Sequence, residues 1–147
     1  MIKLAFVITP DIDLMDLMLF AEPLRQAEKL GLVFEDLRQD FCSPNKLPDS
    51  LLLALGAYSI LPIPAASLAD YDLVVLPGTL NDAPPDGLNQ LLQTVTAKTT
   101  LLTSGNASAF LDAKLKSASS HAANRKQAMI LGVELVERIG GKAAAAQ

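Results

Sequence analysis

Cysteine occurs once in the 147 residues, at Cys42, histidine once, at His121, and tryptophan not at all. One cysteine excludes an internal disulfide, and with no CxxC pair or Cys/His cluster the sequence offers no metal site. No cofactor is expected, and a reducing, cytoplasmic setting fits. Positive charge is also scarce: twelve Lys and Arg against sixteen Asp and Glu give a net charge of −4 and a pI near 4.8. The basic residues are scattered, so no basic face can follow a phosphate backbone, and nucleic-acid binding by this chain alone is not expected. An uninterrupted membrane-length run is missing too. Residues 50–69 carry no charge and are long enough to cross a bilayer, but Gly56, Pro62 and Pro64 break them, which reads as loop and strand and not as a membrane span. Residues 1–8 are apolar but short, and they reach Asp11 and Asp13 without a small-residue cleavage site. They read as a buried strand, not a signal peptide.

What is present is apolar material, half of all residues, enough for one domain over 1–147 with a core of its own. Residues 3–8 form a continuous β-rich run of the kind that parallel sheets bury on both faces. Thr9-Pro10-Asp11 turns the chain. From Asp13 to Leu30 the apolar positions Leu14, Leu17, Met18, Phe20, Ala21, Leu24 and Ala27 recur at helical spacing, with Gly31 as stop signal. Pro23 interrupts that pattern, which predicts either a kink or a helix that begins near Ala21-Glu22, leaving 14–20 as a separate turn. Residues 32–41 are a weaker strand, with Cys42 at its end and Ser43-Pro44-Asn45 as a turn. The pieces 51–55 and 58–63 suit edge strands or a crossover. Residues 71–76, closed by Pro77-Gly78, are the clearest strand and are expected to be central. Helical spacing returns over 88–97, a strand over 99–103, a short helix over 107–114, a small polar segment over 115–120, and a closing amphipathic helix over 124–140. Residues 142–147 read as a frayed tail.

Strands alternating with helices predict an α/β fold with a mostly parallel, doubly wound sheet. Such sheets carry their sites at the carboxyl ends of strands, which here means residues 11–16, Gly78-Thr79 and Thr103-Ser104. The last pair ends an apolar strand at a Ser-Gly turn before a helix. This is where α/β folds place nucleophiles and anion sites, although Ser104 as a plain helix N-cap accounts for the same pattern.

Ile8-Thr9-Pro10 followed by Leu14-Met15-Asp16-Leu17 and Glu22, the strand 71–78, the turn Thr103-Ser104-Gly105, Ser119-Ser120-His121 and the segment 131–138 together resemble the ThiJ/PfpI superfamily, related to the class I glutamine amidotransferases. More narrowly they are similar to the branch of isonitrile hydratases and AraC-regulator sensor domains. The resemblance implies a flavodoxin-like three-layer sandwich, usually dimeric, with a cysteine nucleophile at a strand-to-helix elbow and an acidic residue from the first helix beside it. It places Thr103 where the family has its cysteine, and Cys42 lies at another strand end. Thiolate chemistry at the elbow is therefore lost, because a Thr or Ser hydroxyl needs an adjacent general base. Asp16 matches the family acid and could orient water or accept a proton, although a carboxylate at a helix start is also favoured by the dipole alone. Glu22 matches a further acidic position. His121 is the sole candidate base for Thr103 or Ser104. Gly78 matches the first glycine of a Pro-Gly-Gly whose N–H groups stabilise negative charge, with Thr79 in place of the second; Gly105 closes the elbow. After His121 the family has a further strand, absent here, so the sheet is expected to be shortened near the C-terminus with an open edge that favours a homodimer.

Three functions follow: a non-catalytic domain binding a small molecule or partner through a degenerate pocket; a hydratase- or hydrolase-type enzyme using Asp16 with Thr103 or Ser104; or a sensor and dimerisation module of a transcriptional regulator.

Overall fold

Six parallel strands in the order β3-β2-β1-β4-β5-β6 form the sheet. The computed structural model describes residues 2–29, 37–44, 46–57, 60–82, 87–112, 115, 119–122, 127 and 130; the expected closing helix over 124–140 and the tail lie outside them except for 127 and 130. The strands are β1 (Ile2–Val7), β2 (Leu37–Ser43), β3 (Ile63–Pro64), β4 (Leu73–Leu76), β5 (Thr100–Ser104) and β6 (Ser119–Ala122). Apart from β3 at one edge, the order is that of a flavodoxin-like doubly wound sheet, which reverses direction between β1 and β4.

The pleat sorts the strand side chains onto two faces. Leu4, Phe6, Ile8, Leu73, Val75 and Leu102 meet helix α1 (Leu14–Lys29), through Leu17, Phe20, Ala21 and Leu24, and helix α2 (Asp49–Gly56), through Leu55. Ala5, Val7, Cys42, Val74, Leu76 and Leu101 meet helix α3 (Leu88–Leu92) and the 3-10 helix Gly105–Phe110 on the other side. These three layers make the flavodoxin-like sandwich that the family resemblance implies. Phe6 and Phe41, opposite each other in the β1–β2 register, stack with ring centroids 5.1 Å apart.

Several local expectations change. Helix α1 runs unbroken through Pro23 for 16 residues, so the alternative start near Ala21 does not hold. The proline costs the bond to the Leu19 carbonyl, and burial of Leu17, Phe20, Ala21 and Leu24 on either side of it outweighs that loss. Of the two readings of residues 51–55 the crossover holds and the edge strand does not: they lie in helix α2, which connects the parallel strands β2 and β3. A short apolar run fits either element, and here Leu51 and Leu55, one turn apart, face the core while Leu52 and Leu53 face out. The helix at 88 stops at Leu92 instead of 97. Thr94 Oγ1 donates to the Leu91 carbonyl at 2.5 Å and accepts from Leu68 N–H at 2.7 Å, drawing the chain into a turn. After β5 the expected α-helix over 107–114 is a 3-10 helix over 105–110. Finally, the polar segment 115–120 hides the start of β6, which pairs with β5 along its whole length. Small polar residues carry no strand period, and only the partner strand reveals it. Among the described residues no helix is long and apolar enough to cross a membrane.

Candidate functional site

The reversal point between β1 and β4 is where a doubly wound sheet opens a crevice, and the loops leaving these two strands are zipped together there. Asp13 N–H donates to the Gly78 carbonyl at 2.8 Å, and Leu80 N–H to the Asp11 carbonyl at 2.7 Å, on either side of an antiparallel bridge between Ile12 and Thr79. Asp13 starts helix α1: its side chain accepts from Met15 N–H at 3.0 Å and its carbonyl from Leu17 N–H at 3.1 Å. The capping role is thus filled by Asp13. Asp16, in the first turn and 7% exposed, turns instead toward β5.

There Ser104 Oγ donates to Asp16 Oδ2 at 3.0 Å and accepts from Gly78 N–H at 3.1 Å. Ser104 precedes the 3-10 helix but makes no side-chain cap bond to it, so its hydroxyl serves this connection and not the helix start. The backbone fits tightly around the carboxyl group. A Cβ on Gly78 would stand 2.6 Å from Asp16 Oδ2, so the carboxyl group would have to shift, and one on Gly105 would stand 3.0 Å from the same atom, a tight contact. Chemically, the hydroxyl has a proton acceptor at bonding distance, and the Gly78 N–H, the expected donor to developing negative charge, is already engaged by Ser104.

The remaining site candidates fall around this centre. Thr79 N–H donates to Asn106 Oδ1 at 2.8 Å, and Asn106 Nδ2 reaches Asp82 Oδ1 at 3.1 Å and the Asn81 carbonyl at 3.2 Å. Asn106 therefore staples the β4 loop to the turn after β5. Sequence reading passed it over; its place directly after the Ser-Gly turn was the available signal. Thr103 is fully buried, and alternation along β5 sends it to the face of Leu101, opposite that of Leu102 and Ser104. Its backbone pairs in register with His121 on β6. Glu22 lies farther along α1 and accepts from Gln26 Nε2 at 2.8 Å. Thr9, at the carboxyl end of β1, was also passed over: it is buried, and its Oγ1 has no hydrogen-bond partner among the described residues.

Cys42 takes no part in this site. It is fully buried at the end of β2, with Sγ 3.4 Å from Tyr71 Oη, whose own proton goes to Asp40 Oδ2 at 2.7 Å. Burial pushes the Cys42 thiol above its ordinary range, and burial together with Cys42 and Asp40 does the same to the Tyr71 phenol. The sulfur is held as a neutral thiol, which is a poor nucleophile. A cleft of about 210 Å³ beside it, lined by Lys3, Arg38, Asp40 and Tyr71 among others, lies toward the β3 edge and does not include Asp16. Among the described residues no cluster of His, Cys, Asp and Glu could hold a metal ion.

No family model and no curated protein matches the sequence. Solved structures do match in shape. An AraC family transcriptional regulator from Pseudomonas putida superposes with a TM-score of 0.69 at 20% identity, over 99% of this chain and 96% of that one. Drosophila melanogaster DJ-1beta gives 0.60 at 14% identity, over 99% and 94%. Toxoplasma gondii DJ-1 in its oxidized form gives 0.60 at 11%, over 99% and 95%. The chain has the fold of these AraC-family and DJ-1 structures, which is the fold that the ThiJ/PfpI resemblance implies.

Proposed function

We propose that the chain is a ThiJ/PfpI-like domain that binds a small polar molecule at the Asp16–Ser104–Gly78 centre without forming a covalent bond to it. The observation that carries this reading is the hydrogen-bond chain from Gly78 N–H through Ser104 Oγ to Asp16 Oδ2, which keeps a buried acceptor in place while the only thiol lies on another strand. A carboxyl group held this way selects ligands with an N–H or O–H donor.

The test pairs an N-alkylformamide, which carries an N–H donor, with the isonitrile that yields it on hydration. The formamide is expected to raise the melting temperature of the wild type and not that of Asp16→Asn, and the isonitrile to remain unhydrated. Turnover abolished by Asp16→Asn or Ser104→Ala would make the chain an enzyme of the hydratase type. No Asp16-dependent shift and no turnover would remove the binding reading for donor ligands.

A second reading, a sensor and dimerisation module of a transcriptional regulator, is favoured by the likeness to the Pseudomonas putida regulator over nearly the whole of both chains. In either case the proposal includes a cytoplasmic homodimer. Leu61 beside the two-residue edge strand β3, and Ile63 within it, are exposed apolar side chains that a second copy would cover. Light scattering at micromolar concentration that gives a monomer mass would remove that part.

A further inference from the structure

We infer that Gly105, and not Thr103, stands at the corner of the strand-to-helix turn that faces the site, so that this chain presents bare backbone where a reactive side chain would stand. The backbone gives the first reason. Gly105 has φ 55°, in the left-handed region, while Ser104 before it is extended with φ −138° and ψ 163°. A strand that ends on such a sharp corner before a helix is what lifts a side chain clear of a sheet edge. Direction gives the second. A Cβ on Gly105 would lie 3.0 Å from Asp16 Oδ2 and 3.4 Å from Gly78 Cα, between the acid and the backbone of the β4 loop. Access gives the third. Gly105 is exposed, whereas Thr103 and Ser104 are closed to solvent at 0% and 1%.

The site has therefore not exchanged a thiol for a hydroxyl at the corner; it has no side chain there. Thr103 is a core residue of the other face, and Ser104 is the partner that holds Asp16. Gly105 is exposed and its corner lies against Asp16 Oδ2. Under the binding reading proposed above, that corner is where the ligand's donor group enters. The assignment of the corner stands without that reading, and its test needs no ligand.

Gly105→Cys and Thr103→Cys are made separately, with Cys42 left as a buried internal control, and treated with iodoacetamide at pH 8. The thiolate sulfur bonds to the methylene carbon, iodide leaves, and the thiol proton passes to buffer. Peptide mass mapping then gives the rate at each cysteine. The thiol at 105 is expected to react about tenfold faster or more than the thiol at 103, with Cys42 as slow as the latter, because exposure and thiolate character control the rate. All three should react alike in denaturant. Faster labelling at 103 than at 105 overturns the inference, as does equally slow labelling of both. A left-handed backbone strains any L side chain at 105, so circular dichroism checks that variant's fold. Thr103→Cys, close in size to the native residue, is decisive alone: labelling within about threefold of its rate in denaturant overturns the assignment.

Discussion

Gly78 to Ala is the sharpest test of how the site is held. The added methyl carbon would stand 2.6 Å from Asp16 Oδ2, 3.2 Å from the Ser104 carbonyl oxygen and 3.3 Å from Gly105 Cα. The last two neighbours are backbone and give by only tenths of an ångström, so the carboxyl group must move, by about 0.4 Å merely to reach the edge of tolerable contact. That motion acts on the Ser104 bond, 3.0 Å at rest, and Asp16 is too buried for water to replace it freely. Overpacking costs about 1–3 kcal/mol and a weakened bond to a carboxylate a further fraction of about 1.5–3 kcal/mol. A net loss of about 2–3 kcal/mol corresponds to a fall of about 6–10 °C in melting temperature for a chain of this length. Gly56→Ala is the control. Nothing lies within 4 Å of its added carbon at the end of α2, and a gain of about 0.5 kcal/mol is expected from reduced backbone entropy in the unfolded chain. Calorimetry of both variants, repeated in an Asp16→Ala background, isolates the carboxyl group. The Gly78→Ala penalty should shrink there by about 1–2 kcal/mol. A penalty equal in both backgrounds would refute the argument, because the strain would then lie in the backbone and Asp16 would not press against Gly78.

Other perturbations probe the same connections. Ser104→Ala leaves Gly78 N–H and Asp16 Oδ2 without their shared partner and should cost about 1–3 kcal/mol by urea unfolding; a neutral result would show that the bonds do not form in solution. Asn106→Ala cuts the staple on the β4 loop, so hydrogen exchange at the Thr79 amide should quicken by about tenfold, while that of Val75 within the sheet stays unchanged. Cys42 and Tyr71 both hold their protons more tightly folded than unfolded. The stability this gives is fully present below the unfolded thiol value of 9.0 and is lost as pH rises through the raised folded values. The urea midpoint of the wild type should therefore fall between pH 9 and 10.5 more steeply than that of Cys42→Ala, and parallel curves would show that the thiol is not linked to folding.

How far these features could be read from the chain depends on how local their causes are. The runs 3–8 and 71–76 announce buried parallel strands because a strand covered on both faces needs apolar residues throughout, and the structure places both in the middle of the sheet. The run 51–55 is too short for its period to decide, and the packing of Leu51 and Leu55 decides it instead. Strand β6 has no apolar signal and exists through its pairing with β5. The centre itself shows the division most clearly. The sequence places Asp16, Gly78 and the Thr103-Ser104-Gly105 turn at carboxyl ends of strands, since a doubly wound sheet leaves few other places for them. Pleat parity alone says further that Thr103 and Ser104 point to opposite faces. Which of those faces carries α1, and hence Asp16, is a long-range fact set by the crossover from β1. So is the left-handed backbone at Gly105, which the sequence admits through glycine but does not require. A reading by position in a motif points to 103; the side of the sheet on which α1 packs puts Ser104 beside Asp16 and leaves Thr103 on the opposite face, and the left-handed residue of the turn is Gly105.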